Sequence, residues 1–550
     1  MKQNKIVNFQ YYEKFFIIAL FSVYFFVASQ IFVDYGFYID EKFHRANGFY
    51  WLNYLSNFFG FTDLSQISEI KLKEIEGFTL PNIGNWNLYG VIFDVPAAYF
   101  EIILKINNPI DYYQMRHFLV FIFFFISSIF FYQILKNRFN NILVSIVGLT
   151  LFILTPRLFG DSFWNNKDII FLSFYTISLF FYFKFIDNPS TKIIILLALF
   201  SAIGTTIRFA GIFLPITLIF FFIIDKISKR NEINFKTIIF YFFYFFIFLY
   251  FFWPNVWADP QGALFSSLNL QMSWKGNINF LGKYYFSGNL PYYYLFFWIV
   301  ISTPLIHLFF FTFGFYSYAK RLLLRFLTIE QNSIHNDLWR SRNESKDFLV
   351  FINLIFFMSV LSFLNINLYN SWRLGYFLYI FIIYFASFGI YLLIIKFKKN
   401  ILQLSLIFLT LIFFLTYRII LYHPYQSLYF NALVPTYIKN NVDVDYTGLS
   451  SFHFLKELIK NEKSNKPIKI AANSWYPLWR MVDLLSEKEK SKIIILANDQ
   501  KTQATYLYSN RIYDIDKRYY KKYDIPSNFK KIKEFKIDNT IIFDVYKRLD

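Results

Sequence analysis

The chain has 550 residues, of which 56% are hydrophobic, 24% aromatic and 17% charged, and its formal net charge is +19. A typical soluble domain carries roughly a quarter charged residues, so this composition argues against a soluble protein. The positive charge would suggest nucleic-acid binding in a soluble chain. Membrane proteins collect Lys and Arg in their cytoplasmic loops instead, so we expect no nucleic-acid partner. The absence of cysteine excludes disulfides, thiolate catalysis and cysteine-ligated metals.

Apolar runs of about 20 residues recur along the first three quarters of the chain, long enough to cross a hydrocarbon core about 30 Å thick. They predict an all-α polytopic membrane protein with about eleven transmembrane helices, at residues 15–33, 115–133, 141–158, 168–186, 193–207, 209–225, 237–254, 291–317, 348–366, 374–395 and 401–421. The first run is too long for a signal peptide and lacks a convincing cleavage site, so we expect a retained anchor.

Basic residues alternate along the predicted loops and set the orientation. With the N-terminus in the cytoplasm, the inside loops hold most of the Lys and Arg, and the short outside loops hold isolated ones. Because cytoplasmic loops are enriched in basic residues, the alternation predicts an N-in, C-out protein of a bacterial inner membrane. Its outer loops and C-terminus would then lie in the periplasm, and membrane lipids would surround its spans.

Two domains are predicted. A transmembrane domain covers residues 1–421, with a long first periplasmic loop at 34–114 and a second periplasmic loop at 255–290. A small periplasmic α/β domain covers residues 422–550. This tail contains neither GxGxxG nor a P-loop, so nucleotide binding has no support in the sequence.

Shorter elements are predicted inside the loops and the tail. In chain order they are interfacial helices at Leu64 to Ile75 and Tyr89 to Ile106, a helix at Ser450 to Asn461, strands at Ile468 to Ala472 and Lys492 to Ala497, and a hairpin around Asp538-Asn539.

An acidic pair, Asp40-Glu41, follows the first span at once. Two adjacent carboxylates near a hydrocarbon boundary are costly to desolvate unless they have partners or a task. Partial burial raises the pKa of a carboxyl group and makes it a better proton acceptor near neutral pH. The alternative is a pair of solvated loop charges beside Lys42 and Arg45.

Further polar residues are predicted at the same outer ends of the spans. They are Arg116, His117, Arg157, Asp161, Asn166, Lys167, Asp168, Arg208, Arg373 and His423. An Arg fork next to the bilayer suits a lipid-linked phosphate, which it can hold through two hydrogen bonds. Snorkelling basic side chains and a helix-capping Asp168 are the alternative interpretation.

The residues of these segments resemble motifs of the C-type glycosyltransferase superfamily. This superfamily includes the family 39 protein O-mannosyltransferases and the lipid A aminoarabinose transferases. The acidic motif Asp40-Glu41-Lys42-Phe43-His44 is similar in kind and position to theirs. Further similar segments are Pro156-Arg157, Asn166-Lys167-Asp168, Leu290-Pro291-Tyr292-Tyr293-Tyr294-Leu295, Trp372-Arg373 and His423-Pro424-Tyr425. The resemblance covers about residues 10–435.

The resemblance implies a sugar donor linked through phosphate to a polyprenol, used on the periplasmic side with inversion at the anomeric carbon. It implies Asp40 and Glu41 as catalytic residues, with Asp40 as base and Glu41 either binding the acceptor or donor or holding Asp40 in place. Arg157, Lys167, Arg208 and Arg373 would stabilise the donor phosphate. The substrate-binding residues that it implies are His44, Arg116, Asn166, Asp168 and His423.

No cofactor is certain from the sequence. Some related enzymes use a divalent cation, and Asp40, Glu41 and Asp161 would offer oxygen ligands, but no ligand spacing supports a metal site. The acceptor is a lipid, a glycan or a protein. The chain lacks the large luminal insert of the eukaryotic mannosyltransferases, which weakens the prediction of a protein acceptor.

Three other functions stay open. A transporter or flippase of lipid-linked sugars would show inverted repeats and polar breaks near mid-membrane, and no such repeat is visible. A non-catalytic membrane scaffold would not need Asp40. A polymerase or ligase of surface polysaccharide would use the same class of lipid carrier.

Overall fold

Seventeen α-helices are found among the described residues up to residue 422. The computed structural model describes residues 2–38, 40–75, 89–227, 232–257, 259–273, 276–327, 338–364, 366–369, 371–462, 466–476, 478–513 and 521–549. Within them, the helices are α1 Lys2–Ile31, α2 Glu41–Phe58, α3 Thr62–Lys73, α4 Asp94–Ile103, α5 Pro109–Phe139, α6 Ile142–Ile153, α7 Pro156–Asp161, α8 Asp168–Asp187, α9 Thr191–Ile207, α10 Phe213–Ile227, α11 Phe235–Phe252, α12 Pro260–Ser273, α13 Tyr294–Ser302, α14 Leu305–Leu327, α15 Arg342–Phe363, α16 Leu378–Lys396 and α17 Ile401–Tyr422.

Among the described residues, eight helical segments are long and apolar enough to cross a membrane. They correspond to α1, α5, α8, α10, α11, α15, α16 and α17. The protein is therefore a multi-pass membrane protein, as predicted. The number eleven and the N-in orientation stay predictions.

Two predicted spans, 141–158 and 291–317, are wrong as continuous helices. The first breaks between α6 and α7, where Thr155 has extended backbone angles before Pro156. The second breaks between α13 and α14, at Thr303-Pro304. Proline lacks the N–H that continues a helix and pushes the preceding residue toward extended angles. Both breaks leave short helices, of 12 residues in α6 and 9 in α13.

The centre of the bundle is formed by α8 and α16, whose residues are mostly buried on all sides. Helices that are apolar all round belong in an interior. The crossing of α14 and α16 is close because glycines face each other there: a Cβ on Gly314 would overlap the Phe385 carbonyl, and one on Gly389 would overlap the Phe310 carbonyl. Small residues allow helix backbones to approach in this way in membranes.

The first loop folds into α2, α3 and α4. The predicted helix Leu64 to Ile75 agrees with α3, whereas only the middle of the predicted Tyr89 to Ile106 helix is helical, as α4. A buried ion group fixes the loop on the bundle: Glu101 accepts bonds of 2.6–3.1 Å from Arg45 and lies 3.5 Å from Arg116.

The C-terminal domain is a small α/β domain, as predicted. Its helices are α18 Thr436–Lys439, α19 Leu449–Asn461, α20 Trp479–Val482 and α21 Glu487–Lys490. The strands in the described part of the chain are β1 Asn277–Phe280, β2 Lys283–Phe286, β3 Ile468–Ala472, β4 Ile493–Leu496, β5 Tyr506–Ser509, β6 Phe529–Ile537 and β7 Thr540–Arg548. β1 and β2 form a hairpin in the second loop, and the others form one sheet in the order β4-β3-β5-β7-β6.

The predicted strand Ile468 to Ala472 matches β3 residue for residue, and β4 is one residue shorter at each end than predicted. The predicted hairpin is longer than expected, with Asp538 and Asn539 at its turn. Both have positive φ angles, of 47° and 60°, which Asp and Asn adopt more readily than other side chains.

Two of the places where the domain contacts the bundle are the hairpin turn and the first loop. Asp538 at the hairpin turn accepts bonds from Arg418 and Tyr422 of α17 and lies 3.6 Å from Lys439. At the other place, Gly36 of the first loop packs on the Leu449 carbonyl, 2.8 Å from where a Cβ would lie. The domain is thereby held over the end of the bundle that carries the acidic pair.

Candidate active site

The two carboxylates of the acidic pair lie in different surroundings at the start of α2. Glu41 is buried, with a side chain only 3% exposed, and both of its oxygens lie 3.0 Å from His117 Nε2. The Tyr38 backbone N–H also donates to Glu41, at 2.9 Å. The Asp40 side chain is 38% exposed to solvent. Of the two, Asp40 is therefore the carboxylate that a substrate can reach.

Asp40 is held by Tyr38 and Arg373. The Tyr38 hydroxyl donates to Asp40 Oδ2 and accepts from Arg373 Nη1, and Arg373 Nη2 lies 3.4 Å from the same carboxylate oxygen. The carboxylate is recessed in a dense part of the protein, and this burial raises the pKa of Asp40, with His44 and Arg480 partly opposing the shift. A raised pKa suits a group that accepts a proton near neutral pH.

Asp168, the first residue of α8, connects the two arginines. It pairs with Arg208 through Oδ1, and its Oδ2 lies 3.8 Å from Arg373 Nε. Asn165 fixes this carboxylate: its amide donates to Asp168 Oδ2 at 3.2 Å, and its Oδ1 accepts from the Asp168 backbone N–H at 2.9 Å. Asp168 thus positions both guanidinium groups.

Lys167 lies over the ring of Tyr89, a residue of the first loop. The neighbouring Gly90 makes this contact possible, because its backbone N–H donates to the Thr206 carbonyl at 2.9 Å and a Cβ on Gly90 would overlap the Thr206 side chain. Burial, and then the charge of Arg208, lower the pKa of Lys167 well below its usual value. An anion at this place would restore the charged ammonium.

The cluster consists of the guanidinium groups of Arg208 and Arg373, the carboxylates of Asp40 and Asp168, and the amine of Lys167. Burial lowers the pKa of Arg373 to about 10, so its guanidinium stays charged at neutral pH. Within the described ranges, Nε of Arg208 and Nε of Arg373 are buried without a hydrogen-bond partner. An oxyanion such as a phosphate has acceptors for these two N–H groups, and its charge favours the ammonium form of Lys167.

Arg157 lies apart from this cluster. It is 2% exposed and donates to the Tyr429 carbonyl at 3.2 and 3.3 Å and to Ser371 Oγ at 3.0 Å. Its guanidinium packs on the rings of Trp298 and Phe430. It supports the segment that carries Arg373, and its predicted role at the donor phosphate stays a prediction.

The predicted substrate-binding residues are spread around the site. His44 Nδ1 lies 3.3 Å from Asp94, Arg116 pairs with Glu101, and His423 Nε2 lies 2.9 Å from Asp34. Asn166 is buried beside Lys167, and its Oδ1 has no partner in the described part of the chain. Of the five, the structure brings only Asp168 into direct contact with the arginines of the cluster, and the roles of the others stay predictions.

The carboxylates suggested as metal ligands have separate partners. Asp40 faces Arg373, Glu41 faces His117, and Asp161 is fully buried and accepts from Asn165 at 3.0 Å. No three His, Asp or Glu side chains converge on one point within the residues described. This arrangement does not fit a cation bound jointly by the three carboxylates, and metal dependence stays a prediction.

Sequence reasoning missed four residues of this site: Tyr38, Tyr89, Asn165 and Arg480. Tyr38 stands two residues before Asp40, and Asn165 stands three residues before Asp168. This local spacing is a signal that could have identified both residues. Tyr89 and Arg480 reach the cluster only through the fold, and no local pattern marks them.

The helical bundle, the α/β domain beside it and the carboxylate–arginine cluster at one end of the bundle define a multi-pass membrane protein with a polar site. A family model described as dolichyl-phosphate-mannose-protein mannosyltransferase matches residues 100–257. This match supports the resemblance seen in the motifs over residues 100–257, which are less than a third of the chain. The matched residues include Lys167 and Arg208, and Asp40 and Arg373 lie outside them.

Two solved structures follow a similar course, both of ArnT from Cupriavidus metallidurans, one bound to undecaprenyl phosphate and one in the apo state. Each is 8% identical to this chain, with a TM-score of 0.45, and the alignments cover 96% of this chain and 97% or 98% of ArnT. This likeness carries no information about the site. Comparison with curated protein sequences gives no match.

Proposed function

We propose that the protein transfers a sugar from a polyprenyl-phosphate donor to an acceptor hydroxyl, on the periplasmic side of a bacterial inner membrane. The observation that carries the proposal is one accessible carboxylate, Asp40, beside the largely buried guanidinium groups of Arg208 and Arg373 and the buried amine of Lys167. The description of the matching family names a dolichyl-phosphate sugar, which is a donor of this kind.

In the proposed reaction, Asp40 is the general base. The acceptor oxygen forms a bond to the anomeric carbon of the sugar, and its proton passes to the Asp40 carboxylate. Glu41 is occupied by His117 and the Tyr38 backbone, so it positions the start of α2 and does not exchange a proton with the acceptor. The hydroxyl of Tyr38 holds Asp40 in place.

The bond between the anomeric carbon and the phosphate oxygen breaks, and the polyprenyl phosphate leaves with the bonding electron pair. Arg208 and Arg373 stabilise the negative charge that develops on this oxygen, and Lys167 does so in the ammonium form that the bound phosphate favours. Their free donors, Nε of Arg208 and Nε of Arg373, match the phosphate oxygens. One displacement inverts the configuration at the anomeric carbon, and a phosphate leaving group needs no general acid.

Release of polyprenyl phosphate tests the proposal. The purified full-length protein is incubated with polyprenyl-phosphate sugars and a mixture of membrane lipids, glycans and Ser/Thr peptides. Wild type is expected to release polyprenyl phosphate only when acceptor is present. Asp40→Asn is expected to lose about 100-fold or more, the contribution typical of a general base. The control is Asp63→Asn, an exposed carboxylate of the same loop, which should keep wild-type turnover.

Equal turnover by Asp40→Asn would reject the base assignment. The transporter function would gain support if no donor were turned over while the protein moved a fluorescent lipid-linked sugar across vesicles. A protein that neither transfers nor transports would instead fit the scaffold function.

A further inference from the structure

The segment 478–483 of the C-terminal domain lies directly beside the acidic pair. Lys42, two residues after Asp40, has its Nζ 3.7 Å from Asp483 and 5.2 Å from the centre of the Trp479 ring. Arg480 packs on the same indole, at 5.4 Å. Its charge also lowers the pKa of Asp40, so its guanidinium acts on that carboxylate. The domain therefore reaches the site that the bundle builds.

Trp479 is open to solvent although its neighbours are not. The indole is 45% exposed, whereas Lys42 beneath it is 7% exposed and Glu41 is 3% exposed. A large aromatic side chain usually gains stability from burial, and the exposed part of this indole is open to a ligand, with the two cations Lys42 and Arg480 close by. Asp40, itself partly exposed, faces the bundle cations through Arg373 and the C-terminal domain through Arg480.

We infer that Trp479 and Arg480 bind the acceptor, and that the acceptor is a carbohydrate, either free or as the head group of a lipid. This inference rests on the proposed function, because it assigns the acceptor of the same reaction. The indole offers a flat apolar face to the C–H face of a sugar ring. The guanidinium offers N–H donors to the ring hydroxyls. One hydroxyl of the bound sugar would then lie near Asp40.

A peptide acceptor fits this surface less well. One common mode of peptide binding adds the peptide as a strand to an exposed sheet edge through main-chain hydrogen bonds. The 478–483 segment contains the four-residue helix α20 and presents no such edge at Trp479. An aromatic face with adjacent cationic donors matches a polyhydroxylated ring better.

Binding and transfer are measured with methyl α-mannoside, methyl β-glucoside and N-acetylglucosamine, and with a Ser/Thr peptide for comparison. Saturation-transfer NMR on the full-length protein reports sugar binding without turnover. We expect Trp479→Ala to weaken binding and to raise the acceptor KM about tenfold, the loss expected from one aromatic contact. The matched control is Trp475→Ala, since Trp475 is 47% exposed in the same domain and should leave both values unchanged.

The pH dependence of the transfer rate shows whether Arg480 acts on the charge of Asp40 or only stabilises the fold. The groups that set the charge of Asp40 are Tyr38, His44, Lys167, Asp168, Arg373 and Arg480. Because Arg480 lowers the pKa of Asp40, the variant Arg480→Gln should move the acid limb of the transfer rate to higher pH.

Wild-type sugar binding in Trp479→Ala would overturn the inference, as would transfer to the peptide alone. Sugar binding that depends on Trp479, without release of polyprenyl phosphate from any donor, would support the sugar site and reject the proposed function. If Trp479→Ala releases polyprenyl phosphate as fast as wild type, with unchanged sugar binding, the proposed function is supported and the sugar site at Trp479 is rejected.

Discussion

Asp40 and Glu41 are chain neighbours with opposite surroundings, because successive residues at a helix start project about 100° apart. Glu41 points inward to His117, and Asp40 points to Tyr38 and the partly exposed cleft. The sequence marked the pair, and the preference for Asp40 rested on the resemblance alone. The exposed fraction of each side chain now supports the same preference on physical grounds.

Tyr38→Phe removes the hydroxyl that joins Asp40 to Arg373. A hydrogen bond to a charged group contributes about 1.5–3 kcal/mol, so we expect turnover to fall about tenfold or more without loss of folding. The release rate of polyprenyl phosphate measures this. Tyr35→Phe is the matched control, because the Tyr35 hydroxyl donates to Gln426 and not to the cluster. A similar fall in both variants would contradict the role given to Tyr38.

The pH dependence of transfer follows from Asp40. The base works as a carboxylate, and burial raises the pKa of Asp40, so turnover should fall as the pH drops through that raised value. The acid limb of turnover at saturating substrate is therefore expected above the usual Asp pKa of about 3.9. An acid limb at the ordinary value would contradict the burial described for this carboxylate. The groups that surround this carboxylate are Tyr38, His44, Lys167, Asp168, Arg373 and Arg480.

At the scale of elements, continuous apolar or alternating runs were predicted well and interrupted ones were not. β3 is a short apolar run beside turn residues and was placed to the residue, and the long spans were found by length. The breaks at Thr155-Pro156 and Thr303-Pro304 were missed because a hydropathy window averages across one proline. α2 was missed because its aromatic, charged and polar residues show no clear period in the sequence.

The crossing of α14 and α16 should tolerate no added methyl group. In Gly314→Ala the new Cβ would overlap the Phe385 carbonyl, so the helices must separate, at a cost of about 1–3 kcal/mol. A lower Tm in detergent measures the effect. Gly204→Ala is the control in another helix, because a Cβ there meets no atom within 4 Å among the described residues. An unchanged Tm for Gly314→Ala would contradict the close crossing.

At the scale of the whole molecule, the site depends on contacts that no local pattern reveals. Arg373 meets Tyr38 across 335 positions of the chain, and Arg480 comes from a different domain. Sequence reasoning placed Arg208 and Arg373 at one end of the bundle through the charge alternation. It could not say that Asp168 joins them, since side-chain pairing depends on how α8 packs beside α9.

Asp538→Ala tests how the C-terminal domain is held. The variant removes the carboxylate that Arg418, Tyr422 and Lys439 share, so we expect faster tryptic cleavage between α17 and β3 and a lower transfer rate. Glu487→Ala is the control, because this exposed residue pairs only locally, with Lys490. Unchanged cleavage in Asp538→Ala would show that the hairpin turn does not anchor the domain.

Asp168 opens one candidate span, and Arg208 immediately precedes another. The cationic cluster therefore lies at the depth where the spans end. A lipid carrier would reach it by lateral diffusion within one leaflet, and its effective concentration would be its mole fraction in the membrane. Diluting the vesicles with buffer would then leave the rate per enzyme unchanged, whereas diluting the carrier with other lipids would lower it.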